Sequence, residues 1–224
     1  MRKVLIGTPS HDGRLDVWYT NSLLNTIRAT YEEDTDTYVH AIYTSYDSLI
    51  QRSRNSLVKI ALEQDYDYLF FIDSDVEWKP EWIFKLLDYP EDIVGAPLVK
   101  KSDDSEGYTC KILNKELQYN SRRDLIEVDG VGTGFLKMSR RALVKLWNDA
   151  DAYKNEETIN EWEKMIFDVV VRNNILISED YTMCNKWRDL GEKIWVDPTI
   201  TINHLGPKKF IGNFEKYLRK SNYR

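Results

Sequence analysis

The sequence predicts an α/β protein: a mostly parallel central sheet flanked by helices, with a smaller antiparallel region in the second half. Three observations carry that expectation. As far as Lys101, short runs of branched and aromatic residues alternate with segments of helical spacing, the order that a parallel sheet covered on both faces requires. Gly, Pro and Asp gather where the hydrophobic runs end, as turns at strand ends demand. Beyond Lys101 turn residues separate short alternating runs, the texture of antiparallel strands or a flap.

Taken in order, "KVLIGTP" (Lys3 to Pro9) reads as a buried strand ending in a Gly/Pro turn. Asp16 to Glu32 follows with apolar Val17, Leu23, Leu24 and Ile27 at helical spacing. "TYVHAIYT" (Thr37 to Thr44) is strand-like, and Tyr46 to Gln64 is a helix capped by Asp47 or Ser48. "YLFFID" is the third strand, "KPEWIFKLLDYP" a helix with Pro80 near its first position, and "DIVGAPLVK" the fourth strand. In the second half "RRALVKLWNDADA" returns to helix, and "NEWEKMIFDVVVRNNIL" is read as a further helix despite its β-branched end. Ser178 to Gly191 carries an N-cap serine, acids in its first turn and a terminating glycine, so it too is a helix. "KIWVDPTITINHLGP" reads as two short strands. With no repeat or low-complexity linker, the expectation is a single domain over residues 1–224. Its sheet-rich half covers about 1–101 and its less regular half about 102–224.

Bulk composition narrows the classes. The 224 residues are 42% hydrophobic and 30% charged, a globular balance. A net charge of −6 without a polybasic block argues against a surface built for nucleic acid backbone or anionic membrane. Cys110 and Cys184 make no disulfide framework and lack metal-ligand spacing, which favours a reducing compartment. No segment approaches the about 20 apolar residues of a membrane span, and the short apolar run at the start is no signal peptide. The expected setting is cytoplasmic, the host cytoplasm if the source is viral.

The chemistry concentrates in "LFFIDSDV", where Asp73 and Asp75 follow a hydrophobic strand. Ligands of open α/β sheets bind outside the carboxyl ends of the strands, where this pair and "GTPSHDG" both fall. Two like charges there are costly unless something positive lies between them. A divalent ion shared with substrate phosphates meets that need; solvated acids capping the next helix are the plain alternative. "QRSRNSL" places Arg52 and Arg54 on different sides of one helix, with Asn55 adjacent. "DGVGTGF" (Asp129 to Phe135) has three glycines in five residues, a simple turn or a place of close backbone approach. Trp78, Trp82, Trp187 and Trp195 are candidate stacking surfaces for a ligand; helical placement makes Trp82 and Trp187 better candidates for the core.

"FFIDSDV", then "VDGVGTGFLKMSRRAL", then "SEDYTMCNKWRDLGEKIWVDPTITINHLG" resembles a GT-A (Rossmann-like) glycosyltransferase over nearly the whole chain. The likeness is closest to small inverting enzymes related to family 2, of the compact kind found in phages and large DNA viruses. It implies a donor that is a nucleotide-diphosphate sugar, a Mn²⁺ or Mg²⁺ ion, and an acceptor hydroxyl on a glycan, small molecule, protein or modified DNA base. It assigns the metal to Asp73, Asp75 and His204. It puts Thr8, Pro9, Asp12, Arg54, Asn55, Asp73, Ser74, Gly132 and Lys208 on the nucleotide sugar, with Asp129 a candidate for a sugar hydroxyl. Asp180, beside Glu179 in the first turn of its helix, is the implied general base of an inverting transfer, in the acceptor and catalytic half (about 102–224) of a chain whose first half (about 1–101) binds the nucleotide. Both acids could instead simply cap the helix.

Three other readings stay open. A haloacid-dehalogenase-like phosphohydrolase also ends a strand in D-x-D, but normally on its first strand. A nucleotidyltransferase would want a glycine-rich phosphate loop after the first strand, which "GTPSHDG" is not. A non-catalytic nucleotide- or carbohydrate-binding module would keep the fold without turnover.

Overall fold

The computed structural model describes residues 1–32, 36–103, 105–154 and 162–223. Its elements are β1 (Arg2–Ser10), α1 (Val17–Glu32), β2 (Thr37–Ser45), α2 (Ile50–Glu63), β3 (Tyr68–Ile72), β4 (Val76–Glu77), α3 (Pro80–Leu87) and β5 (Ile93–Gly95) in the first half. The second half adds β6 (Cys110–Ile112), β7 (Ile126–Val131), β8 (Phe135–Ser139), α4 (Arg140–Asp149), β9 (Ala152–Lys154), β10 (Trp162–Lys164), β11 (Val170–Arg172) and β12 (Ile175–Ile177). It closes with α5 (Glu179–Asp189), β13 (Ile194–Val196), β14 (Asn203–Leu205), β15 (Lys209–Ile211) and α6 (Phe214–Lys220).

Eight strands form one sheet in the order β2-β1-β3-β8-β5-β13-β7-β6. β1 pairs in parallel with β2 and β3, and β13 in parallel with β5, while β8 and β7 run against their neighbours. The α/β class and the mostly parallel sheet are therefore as the sequence predicts. Alternation along the strands divides the core into two layers. Leu5, Leu69 and Phe71 face one way and pack with Leu57, Leu143 and Trp187 of α2, α4 and α5. Val4, Ile6, Phe70 and Ile72 face the other way and pack with Tyr19, Leu23, Ile83 and Leu86 of α1 and α3. Each such side chain taken fully from water contributes about 1.5–3 kcal/mol, which is why the short runs hold as strands.

The local signals are mostly realised. Pro80 starts α3, and Gly191, at φ +81, ends α5 with its N–H on Arg188 O. Ser178 is the N-cap of α5 by backbone geometry, though its hydroxyl does not cap the helix. α2 begins at Ile50 rather than Tyr46, because Asp47 accepts from the N–H of Leu49 and from Arg52 and so closes a turn ahead of the helix.

One element is corrected. The segment read as a helix through "MIFDVVVRNNIL" is strands: β10 pairs with β9, and β11 with β12. The hairpin of β11 and β12 turns on Asn173 and Asn174, both at positive φ (52° and 62°), the two-residue turn whose twist suits antiparallel strands. Val169 to Val171 gain more from a pleated strand than from a helix, where branched Cβ atoms crowd the preceding turn. Residues 155–161, including the first part of that segment, lie outside the described residues. A small sheet, β15-β14-β4, was also not anticipated beyond the strand around His204. No helix among the described residues is long and apolar enough to cross a membrane.

Candidate active site

Because β1 and β3 pair in parallel with Gly7 opposite Phe71, their carboxyl ends lie side by side. Pro9, Ser10 and His11 from the first, and Asp73, Ser74 and Asp75 from the second, wall a cleft of about 390 Å³. Asp47, Ser48, Ile50 and Ser53 at the start of α2 and His204 on β14 complete it. His204 reaches this place because β14 pairs with β4, setting it directly opposite Val76.

Asp75 meets two basic groups. Lys101 donates to its Oδ2, and His204 Nε2 stands 3.6 Å from Oδ1. Burial pushes the Asp75 carboxyl up, but His204 and Lys101 outweigh it and hold the group below the usual carboxylate range. His204 Nδ1 lies 2.8 Å from Val99 O, a group that only accepts, so Nδ1 carries a proton and Nε2 is the ring atom that faces Asp75. An imidazole oriented by a carbonyl and facing a carboxylate oxygen is a donor set that suits Mn²⁺ or Mg²⁺ with phosphates and water as further ligands. The residues fit the ion on those terms. They do not assemble three protein ligands: no group of three or more His, Cys, Asp or Glu able to hold a metal occurs among the described residues. Asp73, expected as the third, walls the same cleft, and its Oδ1 is taken up by a basic side chain.

Its partner is Arg54. This side chain is 3% exposed; Nη2 donates to Asp73 Oδ1 at 3.1 Å and Nη1 to Glu179 Oε1. One guanidinium thus ties the end of β3 to the first turn of α5, and breaking such a buried link typically costs about 3–5 kcal/mol. The glycine turn between β7 and β8 runs beneath both acids. A Cβ on Gly134 would come within 2.9 Å of Asp73 Oδ2, and one on Gly132 within 3.5 Å of Asp180 Oδ2. Glycine is needed there because a Cβ would also come within 2.3 Å of Leu98 Cδ1 at Gly134 and 2.9 Å of Thr109 Cβ at Gly132.

Asp180 is half-restrained. Its Oδ1 accepts from the Ser178 hydroxyl and from the N–H of Tyr181 at 2.7 Å. Its Oδ2 has no hydrogen bond among the described residues and lies over Gly132. The helix N-terminus favours negative charge at this position by about 0.3–1 kcal/mol.

Several expected residues are not in the cleft. Thr8 is fully buried with its hydroxyl 2.6 Å from Tyr19 Oη, because it points to the opposite side of β1 from the neighbouring Pro9. Asp12 is exposed and turns back to Arg14. Asn55 is fully buried: its Oδ1 accepts from the N–H groups of Ile166 and Phe167, and its Nδ2 donates to Phe167 O. It fastens a loop and does not face a nucleotide. Lys208 pairs with Asp103 away from the acids, and Lys209 with Glu77. The basic group on Asp75 is instead Lys101, which the sequence reading missed along with Ser10, His11, Asp47 and Ser53. Asp129 is engaged by Arg188 on α5 at 3.4 Å. Of the tryptophans, Trp187 is fully buried and Trp78 nearly so.

An α/β sheet carrying an acidic cleft at the carboxyl ends of its parallel strands, with a second acidic pair at a helix N-terminus close by, is consistent with the GT-A class that the sequence resembles. The model of glycosyl transferase family 2 matches residues 17–147, more than half of the chain, and the chain belongs to that family. Among solved structures the chain is similar to A197 from STIV (TM-score 0.59, 18% identity, covering 96% of this chain and 91% of that one), a likeness of fold. It also matches a glycosyltransferase involved in glycosylation of the major capsid of PBCV-1 (TM-score 0.34, 12% identity, 65% of each chain). A third match is S. aureus TarS 1–349 in complex with UDP-GlcNAc (TM-score 0.45, 14% identity, 88% of this chain and 56% of that one). The curated proteins contain no match.

Proposed function

We propose that the protein transfers a sugar from a nucleotide-diphosphate sugar to an acceptor hydroxyl with inversion, within a single domain. The observation that carries this is the pairing, through Arg54, of the cleft acid Asp73 with the Glu179–Asp180 turn. Family membership supports glycosyl transfer as the class of reaction. The donor nucleotide would occupy the cleft of Pro9, Ser10 and Asp73 to Asp75. Asp75 and His204 would hold Mn²⁺ or Mg²⁺, whose charge serves the departing diphosphate when bound. Asp180 Oδ2 takes the acceptor proton as the acceptor oxygen bonds to the anomeric carbon and the bond from that carbon to the diphosphate oxygen breaks. Arg54 is a positioning residue that fixes Asp73 against α5.

A phosphohydrolase using Asp73 as nucleophile is disfavoured, since its Oδ1 is tied to a buried guanidinium. A second reading does have an observation behind it. Lys101 already places a cation on Asp75, so a donor diphosphate could be met by Lys101 without a metal. Titration calorimetry of nucleoside diphosphates separates the two. The metal reading expects Mn²⁺-dependent binding that falls at least about tenfold, ~1.4 kcal/mol, in Asp75→Ala. Wild-type affinity that is equal with Mn²⁺ and with chelator, and lost in Lys101→Ala, would transfer the role to Lys101. Turnover of a donor panel into an acceptor panel tests transfer itself; binding without any turnover would leave a non-catalytic module.

A further inference from the structure

A second cleft lies on the other side of the small β15-β14-β4 sheet. In that sheet Val76, His204 and Phe210 are opposite one another, and so are Glu77, Asn203 and Ile211. Opposed residues share a face and successive residues alternate. His204 therefore looks into the acidic cleft, while Glu77, Asn203 and Ile211 line a separate cleft of about 740 Å³. Helix α1 closes it with Trp18, Asn21 and Asn25, one stripe at i, i+3 and i+7, and α3 contributes Trp82.

We propose that this cleft binds a neutral saccharide. Sugar rings present apolar C–H faces and a rim of hydroxyls, which suits indoles set beside uncharged amides and hydroxyls. Trp18 is 46% exposed, and the Lys209 ammonium 3.9 Å from its ring centroid holds it in place. Among the described residues, two wall atoms lack a hydrogen-bond partner: the Trp82 Nε1 donor and the Asn203 Oδ1 acceptor. Asn203 Nδ2 is committed to the Glu77 carboxylate at 2.7 Å, which fixes Oδ1 as the unused end. A buried polar atom without a partner is a standing cost that a ligand hydroxyl reaching it would relieve. The charges around the cleft are already balanced, Glu77 by Lys209 at 2.7 Å and Lys79 by Glu81 at 3.6 Å. Nothing there selects a phosphate or a carboxylate, which disfavours a nucleotide stacked on the indoles.

The test titrates the full chain, without donor or metal, with cellotetraose, chitotetraose, maltotetraose and xylotetraose, following indole fluorescence and calorimetry. At least one should bind at millimolar concentration, and Trp18→Ala should weaken it by about tenfold. Trp82→Phe, which keeps the packing and deletes the N–H, should weaken it as well. Mn²⁺-dependent nucleoside diphosphate binding should stay unchanged in both variants. No binding by any of the four, undiminished binding in Trp18→Ala, or preferential binding of uridine monophosphate to this cleft would overturn the proposal. Because the donor is omitted, saccharide binding without transferase activity would count against the reaction alone, and activity without saccharide binding against the cleft alone.

Discussion

Asp180 presents one oxygen restrained by Ser178 and Tyr181 and one oxygen open above Gly132. That division suits a base, which must hold its geometry while leaving a lone pair for the incoming proton. Asp180→Asn keeps the shape and the Oδ1 contacts but removes the charge. Transfer is expected to fall by ~10²–10⁴-fold, the usual range for a lost general base, with nucleoside diphosphate affinity within a few-fold of wild type. Rate within a few-fold of wild type would release Asp180 from the role, and lost nucleotide binding would reassign it to the donor. At this scale the acids were singled out from the sequence, as were Arg54 and His204 beside them, whereas Lys101 was not. Asp73, Asp75 and Asp180 stand at the ends of strongly patterned elements, where a sequence marks position well. Lys101 sits in "KKSDDSE", a run of charges in which nothing singles out the lysine that folds back onto Asp75.

Elements show where periodicity suffices and where it does not. β1, β3 and α2 were legible because buried runs and helical stripes repeat over their whole length. The hairpin of β11 and β12 was not, although Asn173–Asn174 after three valines is a turn signal available in the sequence. Asn55 shows a different limit: an amide on a helix does not reveal whether it faces ligand or backbone. Here it clamps the chain at Ile166 and Phe167. Asn55→Ala would leave the buried N–H and carbonyl of Phe167 unpaired, each worth about 1–3 kcal/mol in principle and partly relieved by relaxation of the loop, while the Ile166 N–H keeps Lys164 O. The expected outcome is a loss of about 2–4 kcal/mol in urea denaturation of the ligand-free protein. A variant as stable as wild type that has lost only nucleotide binding would return Asn55 to the donor site.

At the scale of the whole molecule, Lys137 is a buried charge that the site does not use. Lys137 on β8 has no exposure, and its Nζ donates to Tyr89 O at 2.7 Å. Burial pushes its pKa down from 10.5 to about 8; the carboxylates of Glu91, Asp92 and Asp88 pull it up and Arg122 adds to the lowering, but desolvation dominates. Below about pH 8 the ammonium is protonated in both the folded and unfolded states, so its desolvation cost is present in full. Between about 8 and 10.5 the native protein has released the proton and the unfolded chain still holds it. The unfolded state then binds more protons, and stability attributable to this group rises with pH. Lys137→Met keeps a similar volume and removes the titration. Relative to that variant, wild type should gain stability across this window, by about 3 kcal/mol at its upper limit, and gain nothing from pH 6 to 7. Buried tyrosines ionise at high pH as well, but they are common to both proteins and cancel in the difference. Denaturant unfolding of the pair at a series of pH values measures it, and a difference that stays flat up to pH 10 would mean that Lys137 keeps its ordinary pKa inside the fold.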